Sequence, residues 1–294
     1  MDKFRIAFFG NNQAAINCVD VLLKNENVED IIIITPPGGK LHSWHASLFD
    51  FSAANDLTNY SPDNIKEEEF FELIRDFSPD IIFSVYYSKI IPNTILDLAK
   101  FKINFHPSIL PYYRGTAPII WAIVNGEKQT GITAHEMTSI VDVGNIYGRL
   151  KFDISVNDTG FSLHQKAAKQ VKTLFEQIID KIFQGNLEII NPLESAGSYY
   201  SSKTPRVNKL DPLNQTNEQI INIVRALADP LPMAYIDTNQ EKFFINKCSH
   251  VNNVEIQQEI MNMGKGKGPF IIHDQDTYLI TNDGVLKIDD VRVL

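Results

Sequence analysis

The sequence predicts an α/β fold in which a mostly parallel sheet precedes a smaller, all-β body. Two observations carry this. From Phe4 to Phe183, apolar runs of strand length alternate with segments of helical period, the pattern of strands joined by helical crossovers. From Ala234 onward, short runs (A-Y-I, F-F-I-N-K, P-F-I-I-H, T-Y-L-I-T, V-L-K-I) are separated by Gly and Asn turns, which predicts a barrel-like domain. The chain opens F-R-I-A-F-F, then Gly10, then helical spacing from Ala14 to Leu23. Strand, glycine turn and helix make the N-terminal domain Rossmann-like. The fingerprint G-x-G-x-x-G is absent, so a dinucleotide is not indicated.

The remaining elements follow from period and punctuation. Ile31 to Ile34 is a short β-branched strand that ends in T-P-P-G-G-K. Residues 41–58 carry His42, Trp44 and His45; two histidines three apart beside a tryptophan could be ligands, but with no acidic partner at a metal spacing they read as surface-loop or packing residues. Glu67 to Phe77 carries an apolar stripe (Phe70, Phe71, Leu73, Ile74, Phe77) behind an acidic first turn, as the helix dipole favours. I-I-F-S-V-Y-Y after Pro79-Asp80 is a strand, and Pro92 to Ala99 a helix. Ile103 to His106, Gly131 to Met137 and Asn145 to Phe152 are strands, and Pro118 to Asn125 is a short helix. Thr159 to Phe183 is the longest helix, stopped by Gly185-Asn186. Residues 191–215, rich in Ser, Pro, Asn and Tyr, read as a linker, and Asn217 to Ala228 as a helix halted by D-P-L-P. The expected division is 1–190, a linker at 191–215, and 216–294.

Composition narrows the function. Hydrophobic content of 44% and charged content of 21% over 294 residues belong to a soluble globular protein. The net charge of −9 opposes non-specific binding to nucleic acid. Cys18 and Cys248 have no metal-ligand spacing and read as reduced, packed thiols. No run reaches the ~18 apolar residues of a membrane span. The N-terminal apolar run is too short for a signal peptide, and the expected location is cytoplasmic. The glycine-lysine turn M-G-K-G-K-G-P lacks the strand-to-helix setting of a phosphate cradle.

Chemistry concentrates between Ile103 and Asp142. Asn104 and His106 share one face of a strand by period-two alternation. Pro107 ends that strand, which leaves an amide and an imidazole at its carboxyl end, where open α/β sheets bind ligands. Asp142, ahead of Gly144, completes a set that can hold an oxyanion, move a proton and orient an imidazole.

The segment N-F-H-P-S-I-L-P-Y-Y-R-G-T-A-P-I-I-W-A-I-V-N-G-E-K-Q-T-G-I-T, followed by V-D-V-G-N-I, resembles the formyltransferases that use N10-formyltetrahydrofolate. A looser likeness runs from Lys3 to the C-terminus. R-A-L-A-D-P-L-P-M-A-Y at 225–235 resembles the start of the C-terminal domain in the methionyl-tRNA and sugar-nucleotide branches, which the glycinamide ribonucleotide enzymes lack. The resemblance implies that Asn104, His106 and Asp142 are catalytic, with no metal. It implies that folate lies near Tyr86, Tyr87, Ser88 and Ile90 and against Ser139, Ile140 and Asp142.

The acceptor is read from charge. Residues 206–294 hold nine Lys or Arg against twelve Asp or Glu, and the 36–45 loop has Lys40 alone. Neither suits RNA. Residues 160–250 resemble the enzymes that formylate a UDP-linked 4-aminopentose. The expected acceptor is therefore a nucleotide-linked 4-amino-4-deoxy sugar, as in lipopolysaccharide O-antigen biosynthesis. The alternatives are methionyl-tRNA or a formyltetrahydrofolate hydrolase. Tyr112, Tyr113, Arg114, Trp121 and Arg206 are the candidate acceptor-binding residues; a homodimer is an open expectation that the sequence does not decide.

Overall fold

The computed structural model describes residues 3–39, 44–190, 197–202, 204, 207–238, 241–264 and 270–293. In chain order the first elements are β1 (Phe4–Gly10), α1 (Asn12–Leu23), β2 (Val28–Ile34), α2 (Leu48–Ala54), β3 (Thr58–Tyr60), α3 (Glu68–Phe77), β4 (Ile81–Val85), α4 (Asn93–Leu96), β5 (Phe101–His106), β6 (Arg114–Gly115), α5 (Pro118–Val124), β7 (Gln129–Glu136), β8 (Ile146–Asp153) and α6 (Gly160–Phe183). They are followed by β9 (Tyr199–Tyr200), α7 (Asn217–Ala226), β10 (Ala234–Asp237), β11 (Lys242–His250), α8 (Val254–Met263), β12 (Phe270–His273), β13 (Asp276–Ile280) and β14 (Val285–Val293). Two compact units result. One comprises Met1–Pro118, Thr130–Phe152 and His164–Ser202; the other comprises Ile119–Gln129, Asp153–Leu163 and Lys203–Leu294.

The first unit is built on a seven-stranded sheet of order β3-β2-β1-β4-β5-β7-β8. β1 pairs in parallel with β2 and β4, β2 with β3, and β4 with β5. The sheet is thus mostly parallel, but β7 runs antiparallel to β5. The strand order reverses between β1 and β4, which opens the crevice characteristic of such sheets at their carboxyl ends. One face is packed by Phe8, Phe83 and Phe105 against Phe175 of α6, with ring centroids 6.2, 4.8 and 5.2 Å from it. The other face buries Phe9, Ile34, Ile82, Ile91, Ile95 and the apolar stripe of α3. The described part of the 41–58 segment holds α2 and the first residue of β3. The Ser47 hydroxyl accepts the Asp50 amide at 3.0 Å and so starts α2. His42 and Lys40 lie outside the described residues.

The second unit carries an antiparallel sheet of order β10-β11-β14-β13-β12. Phe243 of β11 and Phe270 of β12 have ring centroids 4.7 Å apart. In a flat sheet these strands would lie about 14 Å apart, so the sheet curls, as a barrel-like body requires. Its core is Leu210, Ile220, Ile223, Val224, Ile245, Leu279 and Leu286. α7 begins with a capping box: Thr216 accepts from the Gln219 amide, and the Gln219 side chain accepts from Thr216. Arg225 donates to the Ser155 and Asp158 carbonyls and to the Asn222 side chain, which ties the 153–163 segment to α7. The sequence reading missed α8, whose cap is Asn253 accepting from the Glu255 and Ile256 amides. Much of the M-G-K-G-K-G-P turn, residues 265–269, lies outside the described residues.

Phe175 is fully buried and touches three strands through their central rings, so its loss leaves a cavity that none of the three can fill. Phe175→Ala is expected to lower unfolding stability by about 3–5 kcal/mol. Equilibrium denaturation, followed by a lower urea midpoint, measures it.

Candidate functional site

β5 places the candidate chemistry. Ile103 and Phe105 are buried in the sheet, so Asn104 and His106 share the alternate positions, and Pro107 stops the strand. β7 runs beside it in a register that pairs Asn104 with His135. The Asn104 side-chain Nδ2 lies 3.0 Å from His135 Nε2. His135 Nε2 also lies 3.3 Å from Asp142 Oδ1, and Asp142 Oδ2 lies 3.5 Å from His106 Nδ1. Asn104, His135, Asp142 and His106 therefore form one connected network, with both imidazoles and the carboxylate nearly inaccessible to water.

The proton positions follow from the carbonyl partners, which can only accept. His106 Nε2 lies 2.8 Å from the Tyr113 carbonyl, so it carries a proton and donates. The neutral ring then presents Nδ1 as its basic atom, facing Asp142. His135 Nδ1 lies 2.8 Å from the Glu136 carbonyl and likewise donates. His135 Nε2 then either receives an N–H of Asn104 or donates to Asp142. In the first case Asn104 keeps its second N–H for a ligand oxygen.

Asp142 has φ of +56°, in the left-handed region that costs a non-glycine residue energy. Two contacts hold it there. The Gly115 amide donates to Asp142 Oδ2 at 2.8 Å. Gly144, two residues on, runs so close to β7 that a Cβ would sit 2.0 Å from the Glu136 carbonyl oxygen. Burial alone would push the Asp142 carboxyl up, but the imidazoles of His106 and His135 and the Gly115 N–H outweigh it and hold the group well below the usual carboxylate range. Burial pushes His106 down, against the opposing pull of Asp142 and the Tyr113 carbonyl. The network therefore pairs an ionised carboxylate with an imidazole biased toward its neutral, basic form.

The loop that supplies the Tyr113 carbonyl and the Gly115 amide is itself pinned by β9. Arg114 and Gly115 pair in parallel with Tyr199 and Tyr200. The Tyr113 amide donates to the Ser198 hydroxyl at 2.7 Å, and the Arg114 amide to the Ser198 carbonyl at 2.9 Å. Gly115 has φ of +88°, and a Cβ there would meet the Tyr200 carbonyl at 2.2 Å. Tyr113 and Tyr200 stack at 5.7 Å, nearly coplanar. β9 lies inside the segment whose composition reads as linker.

The other singled-out residues scatter around this network. Tyr86 directly follows β4 and has φ of +56°, which reverses the strand's alternation. Its ring turns toward His164 of α6, which also meets Trp44. Tyr87 turns the opposite way, onto Phe9. Both hydroxyls are buried with no hydrogen-bond partner among the described residues, and burial pushes that of Tyr87 up to about 12, so it stays protonated. Ser88, Ile90, Ser139 and Ile140 are exposed on their loops. Arg114, Ser139, Ile140, Val141 and Tyr199 line a cleft of about 370 Å³. Tyr112 is exposed. Trp121 lies on α5 within the second unit, and Arg206 falls outside the described residues. Sequence reasoning missed His135, Ser198 and Tyr199. His135 is one histidine in an apolar strand, and only its register opposite Asn104 marks it.

Among the described residues no group of three or more His, Cys, Asp or Glu is arranged to hold a metal ion, and no helix is long and apolar enough to cross a membrane.

The lowered Asp142 carboxyl gives a stability prediction with a definite sign. Its folded value lies below the ~3.9 of an unfolded Asp. Its contribution is therefore complete above about pH 5 and fades as pH falls below about 4. Asp142→Asn is expected to cost about 1–3 kcal/mol at pH 7, with a gap from the parent that narrows in acid. Urea unfolding of both proteins from pH 7 to pH 3 measures it, and a gap that widens in acid contradicts it.

Comparison with known proteins places this geometry. The formyl transferase family matches residues 4–179, and the formyl transferase C-terminal domain matches residues 205–293. Among solved structures, an N-formyltransferase from Helicobacter canadensis in complex with folinic acid and dTDP-3-aminofucose shares 22% identity. It covers 99% of this chain and 100% of its own, with a TM-score of 0.73. WlaRD, a sugar 3N-formyl transferase solved with dTDP and 5-N-formyl-THF, shares 25% identity over 99% of this chain and 100% of its own, with a TM-score of 0.72. A 4-N formyltransferase from Francisella tularensis shares 23% over 83% of this chain and 97% of its own, with a TM-score of 0.69. The first family match alone spans more than half of the sequence and contains the whole Asn104–His106–His135–Asp142 network, and the chain belongs to the formyl transferase family.

Proposed function

We propose that this protein transfers a formyl group from N10-formyltetrahydrofolate to the amine of a nucleotide-linked 4-amino-4-deoxy sugar. The observation that carries the reading is the network itself: an amide, a basic imidazole nitrogen and an ionised carboxylate converging at the carboxyl end of β5. The similar structures support the ligand classes, since they were solved with folinic acid or 5-N-formyl-THF together with dTDP or a dTDP-amino sugar. The Francisella tularensis relative supports the 4-amino position.

The folate would supply a formyl group activated on N10. The chain fits it at 86–91: Tyr87 offers a buried, protonated hydroxyl with no partner among the described residues, in the cluster that holds Ile91 and Met137, and a flat heterocycle with polar edges suits such a wall. In the reaction the acceptor nitrogen bonds to the formyl carbon and the bond from that carbon to N10 breaks. The proton lost by the amine ends on N10. Asn104 donates its free N–H to the oxygen that gains charge. His106 takes the amine proton at Nδ1, the atom left bare because Nε2 is committed to the Tyr113 carbonyl. Asp142 stabilises the resulting imidazolium, and His135 Nε2, accepting one N–H of Asn104, holds that amide in place. Such a reaction on nucleotide sugars belongs in the cytoplasm, on the way to surface polysaccharides such as O-antigen.

The test is formyl transfer from N10-formyltetrahydrofolate to a panel of dTDP-, UDP- and GDP-linked 3- and 4-amino sugars, with methionyl-tRNA and an acceptor-free control. Transfer to a 4-amino sugar is the expected result. Transfer only to methionyl-tRNA, or formate release without an acceptor, contradicts the reading. Asn104→Ala is expected to lower kcat about 10²- to 10³-fold. The acid limb of kcat/KM should fall below the ~6.5 of an ordinary histidine, because burial lowers His106. In Asp142→Asn, which removes the opposing carboxylate, that limb should move lower still. A limb at or above 6.5, or an upward move in the variant, rules out His106 as the base.

A further inference from the structure

Tyr113 stands in a conformation that its own backbone does not favour. Its φ is +59°, in the left-handed region that costs a non-glycine residue energy. Turning over the peptide that joins Tyr112 to Tyr113 would relieve that cost, but both ends of this peptide are held. The Tyr112 carbonyl accepts from the Ser108 hydroxyl at 2.7 Å, and the Tyr113 amide donates to the Ser198 hydroxyl at 2.7 Å. The next peptide is held at both ends too. Its carbonyl, that of Tyr113, accepts from His106 Nε2 at 2.8 Å, and its amide, that of Arg114, donates to the Ser198 carbonyl at 2.9 Å. Ser198 thus supplies one contact to each of the two peptides that set where the Tyr113 carbonyl points. Its own amide donates to the Pro111 carbonyl at 3.3 Å, which keeps it against the same loop.

The orientation matters because the two ends of a peptide have opposite sense. A carbonyl only accepts and an amide only donates. With the carbonyl toward His106, Nε2 carries the proton and Nδ1 is bare. With the peptide turned over, an N–H would face Nε2. The ring would then hold its proton at Nδ1, with no bare nitrogen on the Asp142 side.

We propose that Ser198 is a positioning residue for the base: by fixing both peptides of Tyr113 it selects the His106 tautomer whose bare nitrogen takes the amine proton. The inference rests on the reading of His106 as the base, and Ser198 acts on that ring through the Tyr113 carbonyl. The groups around the imidazole give the effect a sign. Burial lowers His106 most; Asp142 and the Tyr113 carbonyl raise it, and His135 lowers it. Losing the carbonyl alone therefore moves the titration of His106 further down. A loop that merely loosens would admit water, relieve the burial and move it up. A positioning role and a merely structural one thus shift His106 in opposite directions.

The experiment follows the His106 ring by NMR across its titration in the parent protein, Ser198→Ala and Ser198→Thr, with formyl transfer measured on the same three proteins. In Ser198→Ala the titration should move to lower pH. Its kcat should drop about 2- to 10-fold, the yield of one lost hydrogen bond, with KM for both substrates within about twofold. Ser198→Thr, which keeps the hydroxyl, should match the parent in both readings. A His106 titration that rises or does not move in Ser198→Ala, a Thr variant that behaves like the Ala variant, or a loss confined to KM would overturn the role. Should no amino sugar accept a formyl group, the titration still reads the positioning by itself. A fall in Ser198→Ala that Ser198→Thr reverses would then sustain the role of Ser198 and remove the proposed reaction, so the two can fail separately.

Discussion

The short parallel pairing of β6 with β9 is the constraint on which the rest of the site depends. Four residues take part in it, yet it supplies the Tyr113 carbonyl that fixes the His106 tautomer and the Gly115 amide that anchors Asp142. Ser198 adds a hydroxyl and a carbonyl to the same loop. Neither His106 nor Asp142 could hold its state alone. A buried imidazole and a buried carboxylate are each expensive to desolvate. They persist together because the Tyr113 carbonyl accepts from His106 Nε2 and the Gly115 amide donates to Asp142.

The sheet explains why this pairing sits where it does. Parallel strands end at one edge, and β5 stops before Pro107 with Asn104 and His106 on the same face. β7 returns antiparallel beside it and lays His135 against Asn104. The chain then makes a tight passage at Gly144, where only a glycine fits against the Glu136 carbonyl, and Asp142 is delivered back to the imidazoles. The phenylalanines packed around Phe175 hold the strands of this edge rigid from below. The geometry of the network is thus carried by β5 and β7 as well as by the loops.

Much of this could be read from the residues. Period-two spacing put Asn104 and His106 on one face, and the proline placed them at a strand end. The alternation of strand and helix gave the mostly parallel sheet, and the run from Thr159 to Phe183 gave its longest helix. What escaped was non-local. β9 was hidden because S-Y-Y-S-S has the composition of a linker and its partner lies eighty-five residues earlier. His135 looked like any strand histidine until the register with β5 was known. The antiparallel sense of β7 carries no sequence signal, since a buried strand reads alike in either direction. α8 is one short amphipathic turn sequence between strands, and its cap, Asn253, is a residue equally at home in a turn. The reversal of Tyr86 and Tyr87 about the sheet depends on a positive φ that a tyrosine does not announce.

The tautomer of His106 is the most direct readout of this account. Nitrogen NMR of ¹⁵N-histidine-labelled protein, with His106→Gln used to identify the signal among the seven histidines, reports which ring nitrogen carries the proton. The β6–β9 pairing predicts a neutral ring protonated at Nε2 and bare at Nδ1 at pH 7, losing that preference in Ser198→Ala as the Tyr113 carbonyl is released. A proton resident on Nδ1, or a tautomer indifferent to Ser198, would contradict it.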